Sequence, residues 1–121
     1  MVSETQHCTG MTMNICMSYG SRGEIVAASR SLATDVAKGV LDINRIDEDL
    51  FESRLLTCAS GGNPDVLIRT SGEIRISNFL LWQLAYTEMF FVNKAWPAIE
   101  KEDLLRVIRS YADGRIRRYG K

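Results

Sequence analysis

Two arginines and three hydroxyl side chains crowd into residues 69–77, and their chemistry points to anions. In the stretch Asp65-Val66-Leu67-Ile68-Arg69-Thr70-Ser71-Gly72-Glu73-Ile74-Arg75-Ile76-Ser77-Asn78, Arg69 and Arg75 offer planar guanidinium forks suited to bidentate phosphate binding. Thr70, Ser71 and Ser77 add hydroxyl donors, and Gly72 permits a ligand to approach the backbone closely. These residue types describe a phosphate or diphosphate pocket. They equally describe two surface arginines pairing with Glu73 and Asp65 around a polar loop, and residue chemistry alone leaves both readings open.

The elements around this segment place it where ligands bind in such folds, without deciding between the two readings. Val66-Leu67-Ile68 is a short apolar run of strand type, so the pocket begins at the carboxyl end of a strand, where open α/β sheets bind ligands. Ser77 or Asn78 is spaced to cap a following helix, whose amino terminus itself attracts anions. Phe79, Leu80, Leu81, Trp82, Leu84 and Ala85 make that predicted helix apolar nearly all round, so it must be buried or lie in an interface. Upstream, Met11, Met13, Ile15 and Met17 alternate with polar residues or cysteine, which predicts a strand with one buried face. Tyr19-Gly20-Ser21 turns the chain, and Ser21 with Glu24 has the form of a capping box. A helix follows with Ile25, Ala28, Leu32 and Val36 inward and Gly39 as its stop. A second helix is predicted from Asp47 to about Leu56, with acidic residues in its first turn and an Ile46–Phe51 staple. Gly61-Gly62-Asn63-Pro64 reads as a loop, residues 89–92 as a last strand and Trp96-Pro97 as a loop. Leu104, Leu105, Ile108 and Tyr111 mark a final amphipathic helix, weakened by Gly114.

The order strand, helix, helix, strand, helix, strand, helix predicts an α/β layer fold: part of a largely parallel sheet flanked by helices. It reads as incomplete, because three strands leave an edge that invites pairing. With 121 residues the chain fits one domain. Fifteen basic and fifteen acidic side chains cancel, so no whole-molecule field favours nucleic acid. The end is locally basic, with Arg115, Arg117, Arg118 and Lys121. Cys8, Cys16 and Cys58 fit neither a disulfide framework nor a metal knuckle, and His7 beside Cys8 lacks a second ligand pair. Reduced thiols and a cytoplasmic protein are expected. No apolar run reaches the roughly 18 residues of a membrane span, and the amino terminus does not read as a signal peptide.

The run DVLIRTSGEIRISNFLLWQLAYTEMFF closely resembles the C-terminal signature of cis-prenyltransferases, which include undecaprenyl and dehydrodolichyl diphosphate synthases. SYGSRGEIV resembles the same family's preceding strand-and-turn region, and Trp96-Pro97 and the closing Arg-Arg-Tyr-Gly resemble its tail. The resemblance covers essentially all of residues 1–121, read as the part of the domain that binds isopentenyl diphosphate and forms the dimer interface. It implies sequential cis-condensation of isopentenyl diphosphate onto an allylic diphosphate such as farnesyl diphosphate, giving polyprenyl diphosphates of the dolichol or undecaprenol type. Such a product is membrane-associated, which adds a peripheral membrane location to the cytoplasmic expectation.

Residue by residue, the resemblance implies that Arg69, Arg75 and Ser77 hold the diphosphate of isopentenyl diphosphate. Glu88 matches the acidic residue associated with Mg²⁺; without the family it is simply a helix-end carboxylate. Arg118 and Gly120 resemble a terminal R-x-G motif that reaches across a dimer to the same diphosphate, the plain reading being a basic, frayed tail. Ile74 and Ser18 depart from the usual family residues, which are often polar at the first position and asparagine at the second. No segment resembles the family's N-terminal motif, which supplies the catalytic aspartate, so no catalytic residue is assigned on this chain. The isolated chain is expected to be inactive. The alternative is a non-catalytic accessory subunit, or an inactive truncated fragment, paired as a homodimer or with a related chain.

Overall fold

A computed structural model describes residues 2–113. In chain order the helices and strands are α1 (Val2–Thr5), α2 (Ser21–Ala37), α3 (Glu48–Glu52), β1 (Val66–Arg69), β2 (Glu88–Phe91) and α4 (Lys101–Ala112). Three short 3-10 turns, at Ile43–Arg45, Cys58–Ser60 and Trp96–Ala98, join them. β1 and β2 pair in parallel, with Val66 opposite Glu88 and Arg69 opposite Phe91. The architecture is therefore a parallel α/β sheet with flanking helices, as expected for part of such a fold. Parallel neighbours need a long crossover, and here residues 70–87, which contain the arginine segment, supply it.

The helix ends are explained by local chemistry. α2 stops where predicted: Gly39 adopts φ 69°, its N–H donates to the Val36 carbonyl at 2.9 Å, and the Val40 N–H donates to the Asp35 carbonyl at 3.0 Å. That pair of bonds is a Schellman motif, and glycine takes the left-handed position without a Cβ clash. α3 starts as predicted, with the Asp47 side chain accepting from the Leu50 N–H at 2.8 Å. It ends four residues short of Leu56 because the Leu56 N–H donates to Glu24 Oε1 at 2.7 Å instead of to its own helix.

Three sequence expectations are corrected. Residues 11–17 form no strand: among the described residues no partner strand meets them, and Met11 and Met17 are 91% and 82% exposed. A period of two describes a strand only where a ladder exists to join. Residues 79–85 form successive turns instead of a helix. Ser77, Asn78 and Leu80 hold φ of 49°, 62° and 49°, and the Leu81 N–H donates to Ser21 Oγ at 2.9 Å. Ser21 and Glu24 form no capping box: Gly20 is the N-cap of α2, with no side-chain cap bond.

The apolar core is small. Ala28 and Leu32 of α2, Leu55 after α3, Leu84 before β2 and Val107 of α4 are buried. Phe79, Leu80, Leu81 and Trp82 are half-buried within their own chain, and Trp82 stacks on Phe51 with ring centroids 4.5 Å apart. On α4 the inward positions are Asp103 and Val107, while Leu104 and Ile108, predicted to face the core, are exposed.

Candidate functional site

The arginine segment hangs between two anchors. At its start, Arg69 closes β1, and the Val92 N–H donates to its carbonyl at 2.8 Å. The Ser71 N–H donates to the Lys94 carbonyl at 2.7 Å and the Gly72 N–H to the Val92 carbonyl at 3.1 Å. Gly72 is needed here on two counts: its φ is 68°, and a Cβ would stand 2.8 Å from Asn93 Oδ1. At its end, the Asn78 carbonyl accepts from the Ser21 N–H at 2.9 Å, and Asn78 Oδ1 accepts from the Arg22 N–H at 2.8 Å. Asn78 thus caps α2, a helix earlier in the chain, and not a helix that follows it.

Arg69, Arg75 and Ser77 all lie on this segment, which leaves the carboxyl end of β1. Arg69 is half-buried, and among the described residues its guanidinium makes no ion pair or hydrogen bond. Arg75 is exposed and pairs with Glu73, which is the surface pairing that its neighbours in sequence suggest. Ser77 is exposed, in a left-handed conformation that few residues other than glycine adopt.

Glu88 lies elsewhere. It opens β2 opposite Val66, at the other end of the ladder from Arg69. Three residues of strand separate the two positions, roughly 10 Å along the strand axis. An odd offset also sends the two side chains to opposite faces of the sheet. Among the described residues, no hydrogen bond or ion pair joins the Glu88 side chain to Arg69, Arg75 or Ser77. Among the described residues, no three His, Cys, Asp or Glu side chains cluster as a metal site. Arg118 and Gly120 lie outside the described residues.

Two polar devices that sequence reasoning missed support the segment. Lys94, whose carbonyl holds Ser71, donates from Nζ to Asp103 Oδ2 at 2.7 Å, and the Glu100 N–H donates to the same oxygen at 3.1 Å. The Lys94 ammonium and the Glu100 N–H hold the Asp103 carboxyl below its usual range, and the bond to Asp103 raises Lys94. The second device is Glu24, only 5% exposed. Its carboxyl group accepts from the Tyr19 hydroxyl, the Leu56 N–H and, at 3.2 Å, Gln83 Nε2. Burial pushes the Tyr19 phenol up, and its bond to Glu24 adds to the shift. Serine and glutamate three residues apart give a sequence signal identical to a capping box, so nothing in the sequence separates the two uses.

A family profile described as "Putative undecaprenyl diphosphate synthase" matches residues 1–120. The chain belongs to the cis-prenyltransferase family. It is 48% identical over 122 aligned residues to an isoprenyl transferase of Lactobacillus johnsonii, covering 99% of this chain and 51% of that protein. It is 45% identical to "Cis-prenyltransferase 7, chloroplastic" of Solanum lycopersicum, covering 99% of this chain and 42% of that one. Among solved structures, lavandulyl diphosphate synthase from Lavandula x intermedia, in complex with dimethylallyl diphosphate, superposes with a TM-score of 0.86 at 41% identity. That likeness covers 97% of this chain and 48% of the synthase. The chain spans about half the length of the curated relatives it matches. Among the described residues, no helix of this cis-prenyltransferase chain is long and apolar enough to cross a membrane.

Proposed function

We propose that this chain carries the isopentenyl diphosphate site of a cis-prenyltransferase, which condenses isopentenyl diphosphate onto an allylic diphosphate to build a polyprenyl diphosphate. The observation that carries the reading is the Arg69 guanidinium: half-buried, without a partner among the described residues, and standing where a parallel strand hands over to a loop. A planar cation held there suits a diphosphate. Arg75 would join it by exchanging Glu73 for the ligand, and Ser77 would donate its hydroxyl. The binding of dimethylallyl diphosphate by the lavandulyl diphosphate synthase supports an allylic diphosphate as co-substrate.

Mg²⁺ fits Glu88 in kind: a single carboxylate, completed by phosphate oxygens and water, is an ordinary environment for this ion. When bound, the ion neutralises charge on a departing diphosphate. Glu88 would hold it, while Arg69, Arg75 and Ser77 bind and orient isopentenyl diphosphate. The Glu88 and Arg69 positions lie at opposite ends of the β1–β2 ladder. That separation favours a site shared between chains, as a homodimer or with a related subunit, with Arg118 and Gly120 contributing across the interface. It also supports the second reading, an accessory subunit that lends its diphosphate site or its carboxylate to a partner.

Calorimetric titration of the 121-residue chain with isopentenyl diphosphate tests the proposal. Saturable binding, weakened tenfold or more by Arg69→Ala, is the expected result. Binding left unchanged by Arg69→Ala contradicts the assignment.

A further inference from the structure

We infer that Asn78 is a positioning residue, which sets the conformation of the Arg75–Ser77 loop by docking it onto the amino terminus of α2. The inference rests on the reading above that Arg75 and Ser77 hold a diphosphate. A helix begins with backbone N–H groups that have no partner inside the helix, and these usually go to the N-cap side chain. In α2 the N-cap is Gly20, which has no side chain. Asn78 fills that role from far along the chain, accepting the Ser21 N–H on its carbonyl and the Arg22 N–H on Oδ1. Ser21 returns the contact, its buried hydroxyl accepting from the Leu81 N–H.

The three non-glycine residues with positive φ in this stretch, Ser77, Asn78 and Leu80, are those that these bonds flank. Left-handed backbone persists at such residues only where the surroundings over-determine it, and the bonds to α2 supply that constraint. Asparagine suits the position because it tolerates the left-handed region and carries an acceptor on a short stem. Gly20 completes the joint. Its φ of −153° suits any residue, yet a Cβ there would lie 2.9 Å from Asn78 Nδ2. The absent side chain is what lets the Asn78 amide reach the helix. Residues 73–77 bridge the Gly72 and Asn78 anchors, so the second anchor decides where Arg75 and Ser77 stand.

Three variants of the full chain test this, with inorganic diphosphate as the calorimetric probe and melting temperature recorded in parallel. Asn78→Gly keeps the left-handed backbone and deletes the acceptor. Gly20→Ala pushes the Asn78 amide away without changing any residue of the loop itself. Val107→Ala loosens the core at α4 and serves as the purely structural control. The expected result is a loss of about tenfold in diphosphate affinity for Asn78→Gly and for Gly20→Ala, faster hydrogen exchange at the Arg22 amide in both, and unchanged affinity in Val107→Ala. Unchanged affinity in the first two, or an equal loss in the control, overturns the inference while leaving the diphosphate site intact. Failure of the unsubstituted chain to bind diphosphate overturns the site, and the inference with it.

Discussion

Replacing Glu24 by alanine should unfold much of what the small core holds together. The side chain is buried and joins three segments distant in sequence: Tyr19 before α2, Leu56 after α3 and Gln83 before β2. In Glu24→Ala the Leu56 N–H loses the acceptor of a part-buried bond, a donor left unsatisfied at a cost of about 1–2 kcal/mol. Gln83 keeps Thr57 Oγ1, to which Nε2 donates at 2.7 Å, and the Tyr19 hydroxyl can turn toward solvent, so these two together add about 1 kcal/mol. Loss of one buried methylene, Cγ, adds about 1 kcal/mol more. The sum is about 3–4 kcal/mol, against a total stability of about 5–15 kcal/mol for an ordinary domain. With a urea slope of about 2 kcal/mol/M, the midpoint followed by tryptophan fluorescence should fall by about 1.5–2 M. Glu24→Gln retains an acceptor for Leu56 but turns an amide toward Gln83 Nε2, and should cost about 1 kcal/mol. A midpoint shift below about 0.5 M for the alanine variant would refute the reasoning. So would a glutamine variant as damaged as the alanine one, since that would place the effect in charge and not in unsatisfied donors.

Other outcomes follow from the same geometry. Arg69→Ala should weaken isopentenyl diphosphate binding by about 1.5–3 kcal/mol, and Arg75→Ala by less, because Arg75 must first release Glu73; titration calorimetry on both variants ranks them, and the reverse order contradicts the site. Gly72→Ala meets both a positive φ and a 2.8 Å approach to Asn93 and should lower stability by about 1–2 kcal/mol in urea denaturation, with no change counting against the tight loop. Asp103 has a lowered folded-state pKa, so its contribution is present above its ordinary value of 3.8 and lost as pH falls through the lowered one. Lys94 is raised, so its contribution is present below 10.5 and lost at higher pH; urea midpoints against pH should show both limbs flattened in Asp103→Asn. The 121-residue chain alone should not turn over radiolabelled isopentenyl diphosphate with farnesyl diphosphate and Mg²⁺, and robust turnover would sink that expectation.

What the sequence made legible were features decided within a few residues. The stop at Gly39, the start at Asp47 and the apolar run of β1 depend on neighbours that any window of ten residues contains. The failures have a common physical cause, which is competition from distant groups. Leu56 would continue α3, but Glu24 takes its N–H. Residues 79–85 have a composition compatible with a helix, but the Leu81 N–H goes to Ser21. Met11 to Met17 alternate as a strand should, yet a strand is a relation between two segments, and the described residues offer no second one.

The arginine segment shows the same division. Its residue types were readable as diphosphate chemistry, and its place at the carboxyl end of β1 follows from the short apolar run before it. The job of its last residue was misread. Asn78 looks like a local cap because asparagine before an apolar run usually is one. In the structure it caps α2, and the helix it seemed to announce does not form. These are two sides of one choice: Asn78 Oδ1 is turned to the Arg22 N–H of α2 and accepts no backbone N–H from the described residues that follow it. The left-handed backbone that lets Asn78 reach back also stops regular helical bonding from starting at Ser77. The loop that presents Arg75 and Ser77 therefore exists because that helix does not.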